Sequence, residues 1–190
     1  MISKNIVFTK PGTAELIPEP VAPLAPGEIL VKLQISTVSG GTERANLAGS
    51  KTVSWKKKDE EASPFPRRVG YSSAGIVIEV GEGVTRFQPG DRVALWWSKY
   101  EQYHRISETK ACKIDDDVSF EDASIFHIAT FPLGAIRKCR LEIGESAIVM
   151  GLGILGLTAL RLLKAAGAVP VIAVDPDPKK REKALACGAD

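Results

Sequence analysis

The chain has 190 residues, with 25 Lys plus Arg against 23 Asp plus Glu, for a formal net charge of +2. A balance this close to neutral gives no electrostatic case for nucleic acid or an anionic membrane surface as a partner. Three cysteines at 112, 139 and 187, none close to another, argue against a disulfide framework and a four-cysteine zinc loop. The longest apolar stretch, 147–160, is about 14 residues and holds three glycines, short of the roughly 18 to 20 that a membrane span needs. The opening MISKNIVFTKPG reads as a strand and lacks a secretory apolar region, so the expectation is a cytoplasmic protein.

The first 120 residues read as short strands. Segments 6–9, 28–37, 73–80, 92–97 and 101–106 are rich in Val, Ile and aromatics, with Pro-Gly, Gly-Glu-Gly and Pro-Gly-Asp at their borders. Strands at this spacing suggest a small barrel or sandwich. Residues 50–66 break the pattern with Lys56, Lys57 and Lys58 running into Asp59, Glu60 and Glu61, and read as a solvated loop. From about Ser119 the texture turns helical. Residues 120–140 carry apolar groups at helical spacing, and Pro132 is expected to kink or divide them.

A strand at 145–150, a helix at 155–166, a strand at 169–174 and a helix at 178–187 complete a β-α-β-α order, the start of a parallel sheet. Two such apolar strands need neighbours and covered faces, so the chain is expected to be the N-terminal part of a longer one. Between the first of these strands and its helix lies Gly151-Leu152-Gly153-Ile154-Leu155-Gly156, a G-x-G-x-x-G sequence. Asp175 follows Gly156 by 19 residues, at the end of the next strand. In that context the glycines serve a tight turn, close approach to a pyrophosphate and helix–strand packing. The N–H groups that open the helix, from Ile154 and Leu155 on, face the phosphates. Asp175 would accept bonds from a ribose 2′-hydroxyl and repel a 2′-phosphate, which favours NAD over NADP. The alternative for Asp175 is to cap the next helix. Lys179, Lys180 and Arg181 keep NADP open as the lesser choice.

The motifs SGGTE (39–43), GYSSAGIVIEVGEGVTRFQPGDRV (70–93), GLGILG and VDPDPKKREKALACGAD (174–190) together resemble the medium-chain dehydrogenase/reductase superfamily, and most closely its zinc-type alcohol dehydrogenase branch. The resemblance implies an α/β protein: a GroES-like β-barrel catalytic domain at 1–120, a helical connector at 121–144, and at 145–190 the beginning of a Rossmann doubly wound parallel sheet. It implies NAD(P)-dependent hydride transfer in the cleft between the domains, a small alcohol or carbonyl substrate and a homodimer in the full-length protein. The departures concern zinc. The position of the family's cysteine ligand is Gly40, its histidine ligand is Tyr71 with Ser72 in place of the glutamate, and the third ligand falls near Phe126 or His127. ALWWSKYEQY follows GDRV where a second zinc lobe belongs. One surviving histidine does not hold zinc, so no metal site is expected. The pattern also resembles a zinc-less group of oxidoreductases in sugar pathways.

Without zinc, a hydroxyl or an acid must polarise the reacting oxygen. Thr42 matches the family's proton-relay hydroxyl, Tyr71 stands where a ligand would, and His127 lies in the connector near the expected cleft. These three are the catalytic candidates; each also has a structural reading, as a turn hydroxyl, a packed ring and a helix residue. Glu43 matches a second acid, and the relay histidine is replaced by Ala45. Thr130 matches a position near the nicotinamide and Lys180 one near the adenosine ribose. His104 reads as a half-exposed strand residue, Trp55 carries no pattern, and Trp96 and Trp97 should place one ring inside the barrel and one outside. The leading reading is a zinc-independent, NAD-dependent oxidoreductase of alcohols, polyols or carbonyls. A zinc-free enone or quinone reductase using NADPH and a non-catalytic nucleotide-binding module are the rivals.

Overall fold

The computed structural model describes residues 1–50, Val53 and 65–190; Trp55 and the 56–61 charge run lie outside the described residues. The described chain forms two compact units, Met1–His127 and Ile128–Asp190.

In the first unit, β1 (Ile2–Lys10) and β2 (Thr13–Pro20) form an antiparallel hairpin around Gly12, whose φ of 76° suits a residue without a Cβ. The short β4 (Arg67–Arg68) adds to the other edge of β1. A second, five-stranded antiparallel sheet contains β3 (Glu28–Ser36), β5 (Ser72–Val80), β6 (Arg92–Trp96), β7 (Tyr103–Ser107) and β8 (Ala111–Lys113) in the order β7-β3-β5-β6-β8. The two sheets meet at residues 100–102, where Ile6 N donates to Tyr100 O and Gln102 N to Lys4 O, both at 2.9 Å. Where a GroES-like β-barrel is expected, the strands form two joined sheets, and no ladder links β7 to β8 among the described residues.

The alternation of β-branched residues fills one core. Ile29, Val31, Val77, Val93 and Leu95 pack with Phe87 and Ile106. At Gly75 an added Cβ would stand 2.9 Å from Leu33 Cα, so the close approach of β5 to β3 requires glycine there. Ile29 has no exposed surface. Truncation to Ala is expected to lower stability by about 2 to 5 kcal/mol in urea unfolding, and a loss well under about 1 kcal/mol would contradict this core assignment.

Two expectations are corrected by the fold, and one helix was not anticipated. Residues 40–47 form helix α1 (Gly40–Leu47), which the two glycines concealed. The 120–140 helix divides at Ile125 into α2 (Phe120–Ser124) and α3 (Phe126–Cys139), and Pro132 lies inside α3. The break falls where Ser124 is tied to the sheet: its carbonyl accepts Ser72 Oγ at 2.6 Å, and its hydroxyl bonds Thr37 Oγ1 at 2.6 Å. Trp96 and Trp97 do not divide into an inner and an outer ring. Trp96 is half-buried, Trp97 is exposed, and β6 ends between them.

In the second unit β9 (Ala147–Met150) runs parallel to β10 (Val171–Val174), with α4 (Ile154–Ala165) as the crossover and α5 (Pro178–Ala186) after it, as the sequence leads one to expect. Val149, Leu152, Leu160, Leu163, Val171 and Ala184 form its core. Ile148, Met150 and Ile172 are exposed. No helix among the described residues is long and apolar enough to cross a membrane.

Candidate functional site

The first unit places three rings together. Gly70, at φ 113°, leads into Tyr71; a Cβ at Gly70 would stand 3.0 Å from Tyr100 N, so the chain turns tightly against residues 99–100. Tyr71 O accepts from Trp97 N at 2.8 Å, across the end of β6. Trp97 has φ 60°, the left-handed region that a bulky residue seldom occupies. Such backbone strain persists where the surroundings fix it, and it collects at functional sites. The Trp97 ring meets His127 edge-on with centroids 4.8 Å apart, and Tyr71 meets the same imidazole edge-on at 5.8 Å. His127 is buried, and that burial pushes its pKa below the ordinary value, so the ring is neutral at pH 7. Of the sequence candidates, Tyr71 and His127 come together. Thr42 lies on α1, its hydroxyl accepting from Ser39 Oγ at 3.3 Å.

The next residue of α1, Glu43, is buried at 6% exposure. Its carboxylate accepts the Tyr100 hydroxyl at 3.0 Å and the Asn46 amide at 3.3 Å. Burial raises the Glu43 pKa against these bonds. Burial also raises Tyr100 far above the usual phenol range, and the neighbouring Glu43 adds to it. Sequence reasoning missed both Trp97 and Tyr100. The tandem Trp96-Trp97 just past the apolar strand was the available signal for the first; nothing local marks Tyr100.

The donor set at the family's zinc positions does not fit the metal. Gly40 offers no side chain, Tyr71 offers a phenol, and His127 sits among rings. Among the described residues no group of three His, Cys, Asp or Glu is placed to hold an ion. Cys112 packs elsewhere, beside Ala74, Ala94 and Ala123. His104 is not half-exposed as expected: it is buried at 5% and its Nδ1 lies 2.7 Å from Glu101 Oε2.

In the second unit the six-residue fingerprint forms the turn between β9 and α4. Gly151 takes φ 88° and its N–H reaches Val174 O at 2.8 Å. Gly153 is the N-cap of α4, and Ile154 and Leu155 open its first turn. A Cβ on Gly156 would collide with the Gly151 carbonyl, 2.9 Å from its carbon, so α4 packs on the turn only with glycine there. Asp175 is buried at 7% and already has partners: Oδ2 accepts Leu152 N at 2.8 Å and Oδ1 accepts Asp177 N at 2.9 Å. The Leu152 and Asp177 N–H groups hold its pKa below the ordinary carboxylate value, with Lys180, 3.5 Å away, adding to this. Asp175 is not the cap of α5. Asp177 is, accepting Lys179 N at 2.9 Å. Thr130 is an exposed residue of α3.

Residues 25–138 match the alcohol dehydrogenase GroES-like domain, and the chain belongs to that family. It is 27% identical over 191 residues to (R,R)-butanediol dehydrogenase of Bacillus subtilis, covering 86% of this chain and 55% of that protein. It is 31% identical over 214 residues to L-threonine 3-dehydrogenase of Pyrococcus abyssi, covering 97% and 60%. The crystal structure of 2R,3R-butanediol dehydrogenase from Bacillus subtilis shares the fold with a TM-score of 0.86 at 24% identity, over 98% of this chain and 62% of that one. The chain thus spans less than two thirds of the length of these relatives.

Proposed function

We propose that this chain carries the catalytic domain and the first part of the nucleotide-binding domain of a zinc-independent, NAD-dependent oxidoreductase acting on an alcohol, a polyol or the matching carbonyl. In this reading residues 1–120 are the catalytic domain, 121–144 the connector and 145–190 the start of the Rossmann domain, in a cytoplasmic homodimer with no nucleic acid or membrane partner. The observation that carries the reading is the Gly151–Gly156 turn, which opens α4 and is tied through Leu152 N to the buried Asp175.

Bound NAD supplies the hydride acceptor. The chain's own residues hold it and manage the proton. The turn and the first N–H groups of α4, at Ile154 and Leu155, receive the pyrophosphate. Asp175 keeps acceptor capacity for a ribose hydroxyl while fixing the turn, Lys180 lies at the same edge, and Thr130 serves the nicotinamide end. In the other unit the Tyr71 hydroxyl donates to the reacting oxygen, and neutral His127, held edge-on to Tyr71, takes or returns the proton. Thr42 is the second hydroxyl available to that oxygen.

The first test is a fluorescence titration of the full-length protein with NADH and NADPH. NADH should bind at least about tenfold tighter, and Asp175→Ser should narrow the gap, because a carboxylate disfavours a ribose phosphate by more than about 1.4 kcal/mol. Equal or tighter NADPH binding would overturn the cofactor assignment. The replaced zinc positions favour a second reading, a nucleotide-binding module without catalysis; NADH binding with no turnover across a broad alcohol and ketone screen would support it.

A further inference from the structure

Strand β1 turns polar side chains inward at its start, before the buried Val7 on the same face. Its inward side chains Ser3 and Asn5 are polar and buried at 3% and 5%, whereas Ile2 and Ile6 are exposed at 57% and 42%. The buried polar pair borders a cavity of about 260 Å³ within the first unit, which Glu19, Arg68, Lys99 and His104 also line. None of these residues belongs to the ring trio or to the Glu43–Tyr100 pair.

Buried polar groups of this kind need partners, and here they form a fixed frame. Ser3 Oγ donates to Asn5 Oδ1 at 2.6 Å, and Asn5 Nδ2 donates to Glu19 Oε2 at 2.7 Å. The other Glu19 oxygen pairs with Arg68 Nη2 at 2.5 Å. Glu101 is taken by His104 Nδ1, which leaves Nε2 as the ring's remaining hydrogen-bonding atom. Both carboxylates in the lining are thus committed. Among the lining cations, Arg68 is paired with Glu19 and Arg105 with Glu28, at 3.8 Å. Lys99 is exposed and makes no ion pair among the described residues. The volume lies just under the roughly 300 to 1,000 Å³ of drug-sized ligand sites, which excludes a dinucleotide and suits a small molecule.

We propose that this cavity binds a small oxyanion, the phosphate or carboxylate group of a small metabolite. Lys99 is its principal charge partner, with the Arg68 guanidinium, already paired to Glu19, beside it. The site stands apart from the hydride chemistry and does not rest on it. Its occupant reaches the unit through the face where β2, β4 and β7 converge on β1.

The test is calorimetric titration of the full-length protein with inorganic phosphate and, separately, with acetate, each in saturating NADH so that the fingerprint turn is occupied. One of the two should bind with a dissociation constant of about 1 to 10 mM, and the preferred one identifies a phosphate ester or a carboxylate as the natural ligand. Lys99→Gln, an exposed change that leaves the frame intact, should weaken that binding at least about tenfold with unfolding temperature and NADH affinity unchanged. Lys110→Gln, exposed and outside the lining, should bind as wild type does. No binding of either anion up to about 50 mM, or equal affinity in Lys99→Gln, would overturn the proposal. Failure of the wild type to bind NADH would count against the dehydrogenase reading alone, because the anion titration can be repeated without nucleotide.

Discussion

Tyr71→Phe is expected to lower kcat about 100-fold in the full-length protein while NADH affinity stays within about threefold. The ring remains, so its edge-on contact with His127, its tilted contact with Trp97 and the backbone bond from Trp97 N survive. Only the hydroxyl is lost. A donor aimed at a developing oxyanion is worth about 2.7 to 4 kcal/mol, which sets the size of the effect. Thr42→Val is the companion experiment, because it removes the other hydroxyl while keeping the shape. Its hydroxyl already accepts from Ser39, so a wild-type rate in this variant would assign Thr42 to α1 structure. The measurement is steady-state turnover on a substrate found by screening, with cofactor binding followed separately. Wild-type turnover in both variants would remove both residues from the mechanism and leave His127 as the candidate.

Gly156→Ala should abolish useful nucleotide binding, weakening NADH at least tenfold, or about 1.4 kcal/mol. The new methyl meets the Gly151 carbonyl, which is backbone and cannot rotate away. Either α4 shifts from β9 or the turn opens, and both misplace the N–H groups that would receive the pyrophosphate. The unfolding temperature should fall as well, since Leu160 and Leu163 of α4 belong to the core of that unit. Wild-type NADH affinity in this variant would show that the turn does not carry the cofactor.

The contrast between the two units explains what the sequence makes legible. The β9-α4-β10-α5 run is visible because each signal is local: apolar strands, a glycine turn, an acidic residue at a set distance and a proline opening α5. Even there, the function of Asp175 is only half visible. The spacing points to a ribose, whereas its bonds to Leu152 N and Asp177 N depend on the folded turn. In the first unit the signals conflict. β2 is hard to read because it carries Pro18 and Pro20, which an edge strand tolerates, and β2 is the edge of its sheet. Helix α1 begins with two glycines, which local propensity assigns to a turn; Glu43, buried against Tyr100, anchors it instead. The pairing of Tyr71 with His127, and of Glu43 with Tyr100, joins residues more than 50 positions apart. No periodicity reports such contacts. His104 reads as a half-exposed strand residue because its partner Glu101 lies before the strand, where the chain between β6 and β7 runs beside β1.

The function proposed for this chain has hydroxyl and imidazole groups act where the zinc-type enzymes it resembles use a metal. It is tested most directly by measuring metal content and turnover on the same preparation of the full-length protein, before and after exhaustive chelation. Less than about 0.2 equivalents of zinc per chain is expected, because Gly40 and Tyr71 offer no ligand set. NAD-dependent turnover should be unchanged by chelation. Close to one tightly bound zinc per chain, with activity that disappears on its removal and returns on its addition, would contradict it.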